Sequence, residues 1–230
     1  MKKVGLLVLT ALFASEFTIA QTYKIDTAQI SFENKLRPCF EVHYDAEAKN
    51  VKKAWSNFFK KNYKIKIKGV GLFSDKDLIS AEDVTMAAVS DKRMNLYARI
   101  IDEAGGAELK YFMSFGYDFF IGYDNYSGEF SKMKGILNDF SVTFLNDYYA
   151  DRARQITQSV KKLEREKKSK LSTIKKNNKK AKKESSTVAL GLEAKNNSLE
   201  MEIEEIERKI DQYADELNKI KEKQSGITRN

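Results

Sequence analysis

The chain has 230 residues, 41 Lys and Arg against 33 Asp and Glu, a formal net charge of +8, and 32% charged against 42% apolar residues. This length allows one domain of ordinary size plus an extension, and the charge is high for a compact body. One Cys and one His exclude a disulfide framework and a zinc site built on several histidines, and a single Pro leaves room for long helices.

Lys2 and Lys3 precede an apolar run, Val4 to Ala14, which has the length of a signal h-region and is too short to span a bilayer. Ala20 before Gln21 supplies the small residue of a cleavage site. Residues 1–20 are therefore expected to be a signal peptide of bacterial type, and the mature chain to be exported by the general secretory route, periplasmic or secreted. An uncleaved anchor is the alternative. No later stretch is apolar enough to predict a transmembrane segment.

Residues 21–149 read as an α+β head, a small two-layer sandwich in which an antiparallel meander sheet carries two helices. Phe40, Val42 and Tyr44 alternate with polar neighbours, which predicts a half-buried strand. A helix with Val51, Ala54, Trp55, Phe58 and Phe59 on one face follows, with Asp45 as its expected cap. Tyr63, Ile65 and Ile67 alternate with lysines and predict a strand; Leu78-Ile79 and Val84-Thr85-Met86 suggest more short strand. Met94, Leu96, Ala98 and Ile100, a turn at 102–106, then Leu109, Tyr111, Met113 and Phe115 predict a hairpin. After an aromatic cluster at 117–126, Ser127 is the expected cap of a second helix with Phe130, Met133, Leu137, Phe140, Phe144 and Tyr148 on its core face.

Residues 150–225 read as a charged, coiled-coil-like helical arm, and 226–230 as a disordered tail. The clearest seam is Leu199, Ile203, Ile206, Ile210, Tyr213, Leu217 and Ile220, stepping by four and three. Residues 161–183 hold twelve Lys and Arg against two Glu, whereas 193–222 hold ten Asp and Glu against five basic residues. A reversal near Glu184–Thr187 would lay acidic helix antiparallel on basic helix, an antiparallel hairpin. A single long helix that dimerises, or a basic segment without order, are the competing arrangements.

The chemistry-bearing residues are sparse. Cys39 is expected to be a buried small apolar residue, and His43, on the polar phase of a strand, an edge or surface histidine. Asp75, Asp77, Glu82 and Asp83 lack the turn glycine and distal Glu of a calcium loop. Gly69-Val70-Gly71 is too short for a nucleotide fingerprint, and no Walker, Gly-x-Ser-x-Gly or His-Glu-x-x-His pattern occurs. The two glycosylation sequons, at Asn125 and Asn196, read as chance in a bacterial-type chain. The aromatic cluster is expected to be core more than partner surface. No catalytic residue, cofactor or metal ligand is predicted. The expectation is an exported, non-enzymatic interaction or structural protein, with a globular head and an arm acting as spacer or oligomerisation element toward a protein partner or itself. The alternative is an envelope-associated binding module in which Lys175, Lys176, Lys179 and Lys180 contact an anionic polymer: nucleic acid, acidic glycan or lipid headgroups. An envelope hydrolase is the weakest third reading.

Overall fold

The computed structural model describes residues 22–71 and 76–229, so the expected signal peptide and Asp75 lie outside the described residues. The fold is α+β. Five antiparallel strands are ordered β1-β2-β5-β4-β3, with β1 Ile25–Phe32, β2 Lys35–Tyr44, β3 Leu78–Met86, β4 Ser90–Glu103 and β5 Gly106–Ser114. Among the described residues three helices accompany them: α1 Ala48–Tyr63 between β2 and β3, then α2 Ser127–Ala181 and α3 Ser186–Ser225.

The sheet is not a simple meander. The β1–β2 hairpin leads through α1 to the far edge, and β3, β4 and β5 then return inward until β5 pairs with β2, Phe40 opposite Tyr111. The expected β4–β5 hairpin is present, with Leu96 opposite Met113, Ala98 opposite Tyr111 and Ile100 opposite Leu109. Gly105 turns it at φ 92°. Gly106 permits the approach of β2, since a Cβ there would lie 1.9 Å from the Tyr44 carbonyl oxygen.

Three local expectations are corrected. The alternation at 63–67 is not a strand: α1 runs through Tyr63 and ends on Lys64 in the left-handed region at φ 60°. Ile65 and Ile67 do bury, but among the described residues the segment pairs with the sheet's backbone only at a bridge between Lys68 and Ser80. Asp45 does not cap α1. The first helical amide, Ala48 N–H, donates to Asp102 Oδ1 of β4 at 2.8 Å, while Asp45 accepts from the Tyr149 hydroxyl at 2.6 Å and from Lys223. Ser127 is the first residue of α2, whose N-cap is Tyr126 without a side-chain bond.

The core lies between the sheet and the helices α1 and α2. Phe40 of β2 stacks on Phe130 of α2 at 4.1 Å between ring centroids, and Trp55 of α1 sits edge-on to both Tyr111 and Phe140, at 5.1 and 4.8 Å. Of the expected core face of α2, Phe130, Met133, Leu137, Phe140 and Phe144 are buried, while Tyr148 is half-buried and its neighbour Tyr149 is the buried tyrosine.

The boundary read at 149/150 falls inside one continuous helix. α2 leaves the sheet and α3 returns along it. Arg152 meets Glu216 at 2.7 Å, Lys167 meets Glu207 at 2.5 Å, Lys170 meets Glu202, and Asn177 meets Asn196 at 2.9 Å, so residue numbers rise on one helix as they fall on the other. The pair is antiparallel, and forty residues of α3 make it about 60 Å long. Gly226–Arg229, read from sequence as a disordered tail, is placed against the head. Thr22 N–H donates to the Gly226 carbonyl at 3.2 Å, Arg229 pairs with Asp139 at 2.9 Å, and Ile227 packs on the core.

Candidate functional site

The helices cover one face of the sheet; the other is open, and its residues divide it into two halves. At one end Ile30, Cys39, Phe112 and Phe120 form a second buried cluster, flanked by Phe32 and Tyr97. Tyr97 stacks on Phe112 at 5.1 Å and Phe32 tilts against Tyr97 at 4.9 Å. The loop after β5 folds over this half. Asp118 accepts from Lys35 at 2.7 Å and from Arg37 at 2.5 Å, and the Arg37 guanidinium lies 4.2 Å from the Phe120 ring centre. Cys39 is fully buried here, and burial pushes its thiol up to about 12, so it is a packing residue.

The other half is a charge ladder. Lys110 bridges Glu108 at 2.8 Å and Glu41 at 2.9 Å; His43 bridges Glu41 at 3.0 Å and Glu103 at 2.5 Å. The hydrogen bond to Glu103 raises the His43 pKa against the opposing effect of burial, and the bond from Lys110 lowers that of Glu41. Donor atoms of Glu41, His43 and Glu108 lie within 4.8 Å of one another, as metal ligands would. Lys110 already sits on both carboxylates, and a raised histidine pKa opposes the neutral imidazole that metals need, so the ladder fits a proton better than a metal. The sign fixes a pH dependence. A histidine pKa raised in the folded state adds stability below its unfolded value of about 6.5, and this is lost as pH rises through the folded pKa. His43→Gln should therefore lower Tm relative to wild type at pH 5.5 and by less at pH 8.5. Because the imidazole is half exposed, the gap should not exceed about 1 kcal/mol. A larger gap at pH 8.5 than at pH 5.5 in thermal melts would contradict the ladder.

Where the apolar half meets the sheet edge, a recess of about 450 Å³ opens, bordered by Phe32, Glu33, Asp83, Arg93, Tyr97 and Tyr117. Arg93 pairs with Asp83, whose backbone N–H donates to Asn95 Oδ1 at 2.9 Å. Three of its non-glycine residues hold positive φ: Glu33 at 51° in the β1–β2 turn, Asp83 at 55° in the β3 bulge, and Tyr117 at 21°. Backbone of this kind is costly and collects where a surface is used. Beside it Tyr117 is 95% and Phe119 64% exposed, with Tyr123 at 75% further along the same loop. The aromatic cluster expected as core is thus divided: Phe120 and Ile121 are buried, while Tyr117, Phe119 and Tyr123 face solvent.

A larger groove, about 850 Å³, lies where the arm leaves the head, among Lys53, Phe58, Phe144, Tyr148, Arg152 and Tyr213. Neither cavity is lined by Cys39 or His43 among the described residues, so neither joins a thiol or imidazole to a nucleophilic task.

Along the arm, Ile203, Ile206 and Ile220 are buried, and Leu199, Ile210, Tyr213 and Leu217 half-buried. Apart from Ser159, the least exposed positions of α2 beyond Tyr149 are Ala153, Ile156, Val160, Leu163, Lys167, Lys170, Ile174, Asn177 and Ala181, the same four-three step. Lys167 and Lys170 therefore occupy seam positions, their stems in the seam and their ammonium groups on Glu207 and Glu202. Lys175, Lys176, Lys179 and Lys180 are exposed on the distal part of α2. No helix of the described residues is long and apolar enough to cross a membrane. Compared with known proteins, the chain matches no family model, and no curated sequence or solved structure shows significant similarity to it.

Proposed function

We propose that the chain is an exported, non-enzymatic interaction protein whose head binds a protein partner through the open sheet face, with the helix pair as spacer. The observation that carries this reading is the group of solvent-facing aromatics, Tyr117 and Phe119, beside a recess bordered by residues of strained backbone. Aromatic side chains with little to cover them gain most from a second surface, and Tyr joins apolar area to a polar tip. Export rests on the basic and apolar N-terminal pattern alone.

The test is a comparative capture from an envelope extract. A discrete partner should be retained by wild type, and by Lys53→Gln on the opposite face, and lost from Tyr117→Ser/Phe119→Ser. Equal capture by all three, or turnover of a peptide or glycan substrate, would overturn the reading.

A second reading, a module that contacts an anionic polymer through the basic part of the arm, is favoured by one observation. Acidic partners of α3 reach Lys167 and Lys170 but none of Lys175, Lys176, Lys179 and Lys180 among the described residues.

A further inference from the structure

We infer that the free end of the helix pair is a docking surface for the headgroup region of an anionic phospholipid membrane. This rests on the second reading above and names its polymer.

The contacts of Lys167 with Glu207, Lys170 with Glu202 and Asn177 with Asn196 set the pairing of the two helices. In that register the acidic run Glu200–Glu207 lies beside residues 165–173. The end of the basic run, Lys175 to Lys183, lies beside residues 190–198, which hold a single acid, Glu193, and a further lysine, Lys195. Complementarity is therefore satisfied in the middle of the arm and fails at its tip. Lys175, Lys176, Lys179, Lys180, Lys182 and Lys183 carry no ion pair among the described residues. Six cations within nine residues repel one another, and an anionic surface relieves that repulsion.

A second, independent feature lies at the same end. Leu190 is 64% exposed and Val188 41%, on helices whose other aliphatic residues are mostly drawn into the seam. Apolar side chains within a belt of lysines match the headgroup–acyl boundary, where a cation meets phosphate and a leucine meets the outer methylenes. Nucleic acid matches less well. The phosphate backbone offers leucine nothing, and the one aromatic beyond residue 150, Tyr213, lies at the head end of the arm, so nothing at the tip can stack on bases. The proposed contact is peripheral, and the stretch of α2 from Tyr149 to its end at Ala181 holds the head about 45 Å from the surface.

Co-sedimentation with vesicles tests this, using the chain from Gln21 onward, which holds every described residue and lacks the apolar run 4–14 that would itself enter lipid. Binding is expected to vesicles of equal phosphatidylglycerol and phosphatidylcholine, to be released in 0.5 M NaCl, and to be absent with phosphatidylcholine alone. Each lysine near such a surface is worth roughly fivefold in partition. Changing Lys175, Lys176, Lys179 and Lys180 to Gln should then weaken binding at least about a hundredfold, with helicity checked by circular dichroism. Leu190→Ser should weaken vesicle binding several-fold and leave heparin binding unchanged. Heparin or DNA binding without vesicle binding, or vesicle binding insensitive to Leu190→Ser or to the four lysine changes, would overturn the inference and leave the second reading standing. Failure to bind any polyanion would overturn both.

Discussion

Trp55→Ala is expected to destabilise the head by about 3–5 kcal/mol, the cost of emptying a large aromatic site, and to lower Tm by about 10 °C or more. Trp55 is fully buried and touches three elements at once: Phe59 on its own helix at 4.7 Å, Tyr111 of β5 at 5.1 Å and Phe140 of α2 at 4.8 Å. Its loss opens a cavity at the junction of sheet, α1 and α2, where rigid aromatic neighbours cannot collapse to fill the space. Trp55→Phe should cost far less. It keeps most of the ring contact and removes an indole N–H that is buried without a hydrogen-bond partner among the described residues. Thermal melts of both variants check this; a fall below about 3 °C for the alanine variant would show that the residue does not knit the layers together.

Asn196→Leu is expected to do the reverse in the arm: raise its stability and loosen its specificity. The seam of α3 continues past Leu199 to Asn196 and Leu192 at the same spacing. Asn196 is buried, accepts from Asn177 Nδ2 at 2.9 Å and donates to Asn178 Oδ1 at 2.6 Å. A polar layer in an apolar seam fixes register and costs stability, because its bonds are satisfied in one alignment only. A leucine there packs in several. The variant should melt at a higher temperature and show a broadened or larger mass in light scattering. An unchanged mass with a lower Tm would mean that the asparagines serve stability rather than alignment.

The parts of this fold that could be read from sequence are those in which one local pattern and one burial face coincide. Met94 to Met113 alternates on both arms of a glycine turn, and the β4–β5 hairpin follows. β1 gave no such signal, because Ile25 faces the main core while Ile30 faces the second cluster, and its turn is Glu33-Asn34 rather than a glycine pair. Ile65 and Ile67 carried a true signal of burial that mimicked a strand, since alternation reports which side chains are covered and not whether a ladder exists. The continuity of α2 was hidden by the change from aromatic to charged residues near Ala150, although the helical step never breaks. Its seam is masked in the sequence because Lys167 and Lys170 stand where leucines are expected. Only the register shows that their stems bury and their charges meet glutamates on the other helix.

The recess on the open sheet face was beyond sequence reasoning for a different reason. Phe32, Asp83, Arg93 and Tyr117 come from four separate segments, and none is unusual in its own neighbourhood. The exposed lysines were visible as a run, but the sequence gives no reason to separate Lys170 from Lys175. The alignment of the two helices does, and it turns a uniform basic stretch into a neutralised middle and a cationic tip.

Both functional readings depend on α3 folding back along α2 within one chain. Spin labels at Lys162 and Asp211, exposed positions set side by side by the register, test this directly by distance measurement. Helix axes about 8–10 Å apart, plus the label arms, predict a separation of about 20 Å, unchanged when the labelled protein is diluted into an excess of unlabelled chain. A separation near 75 Å, as on one straight helix, or a short distance that disappears on dilution, would contradict the account.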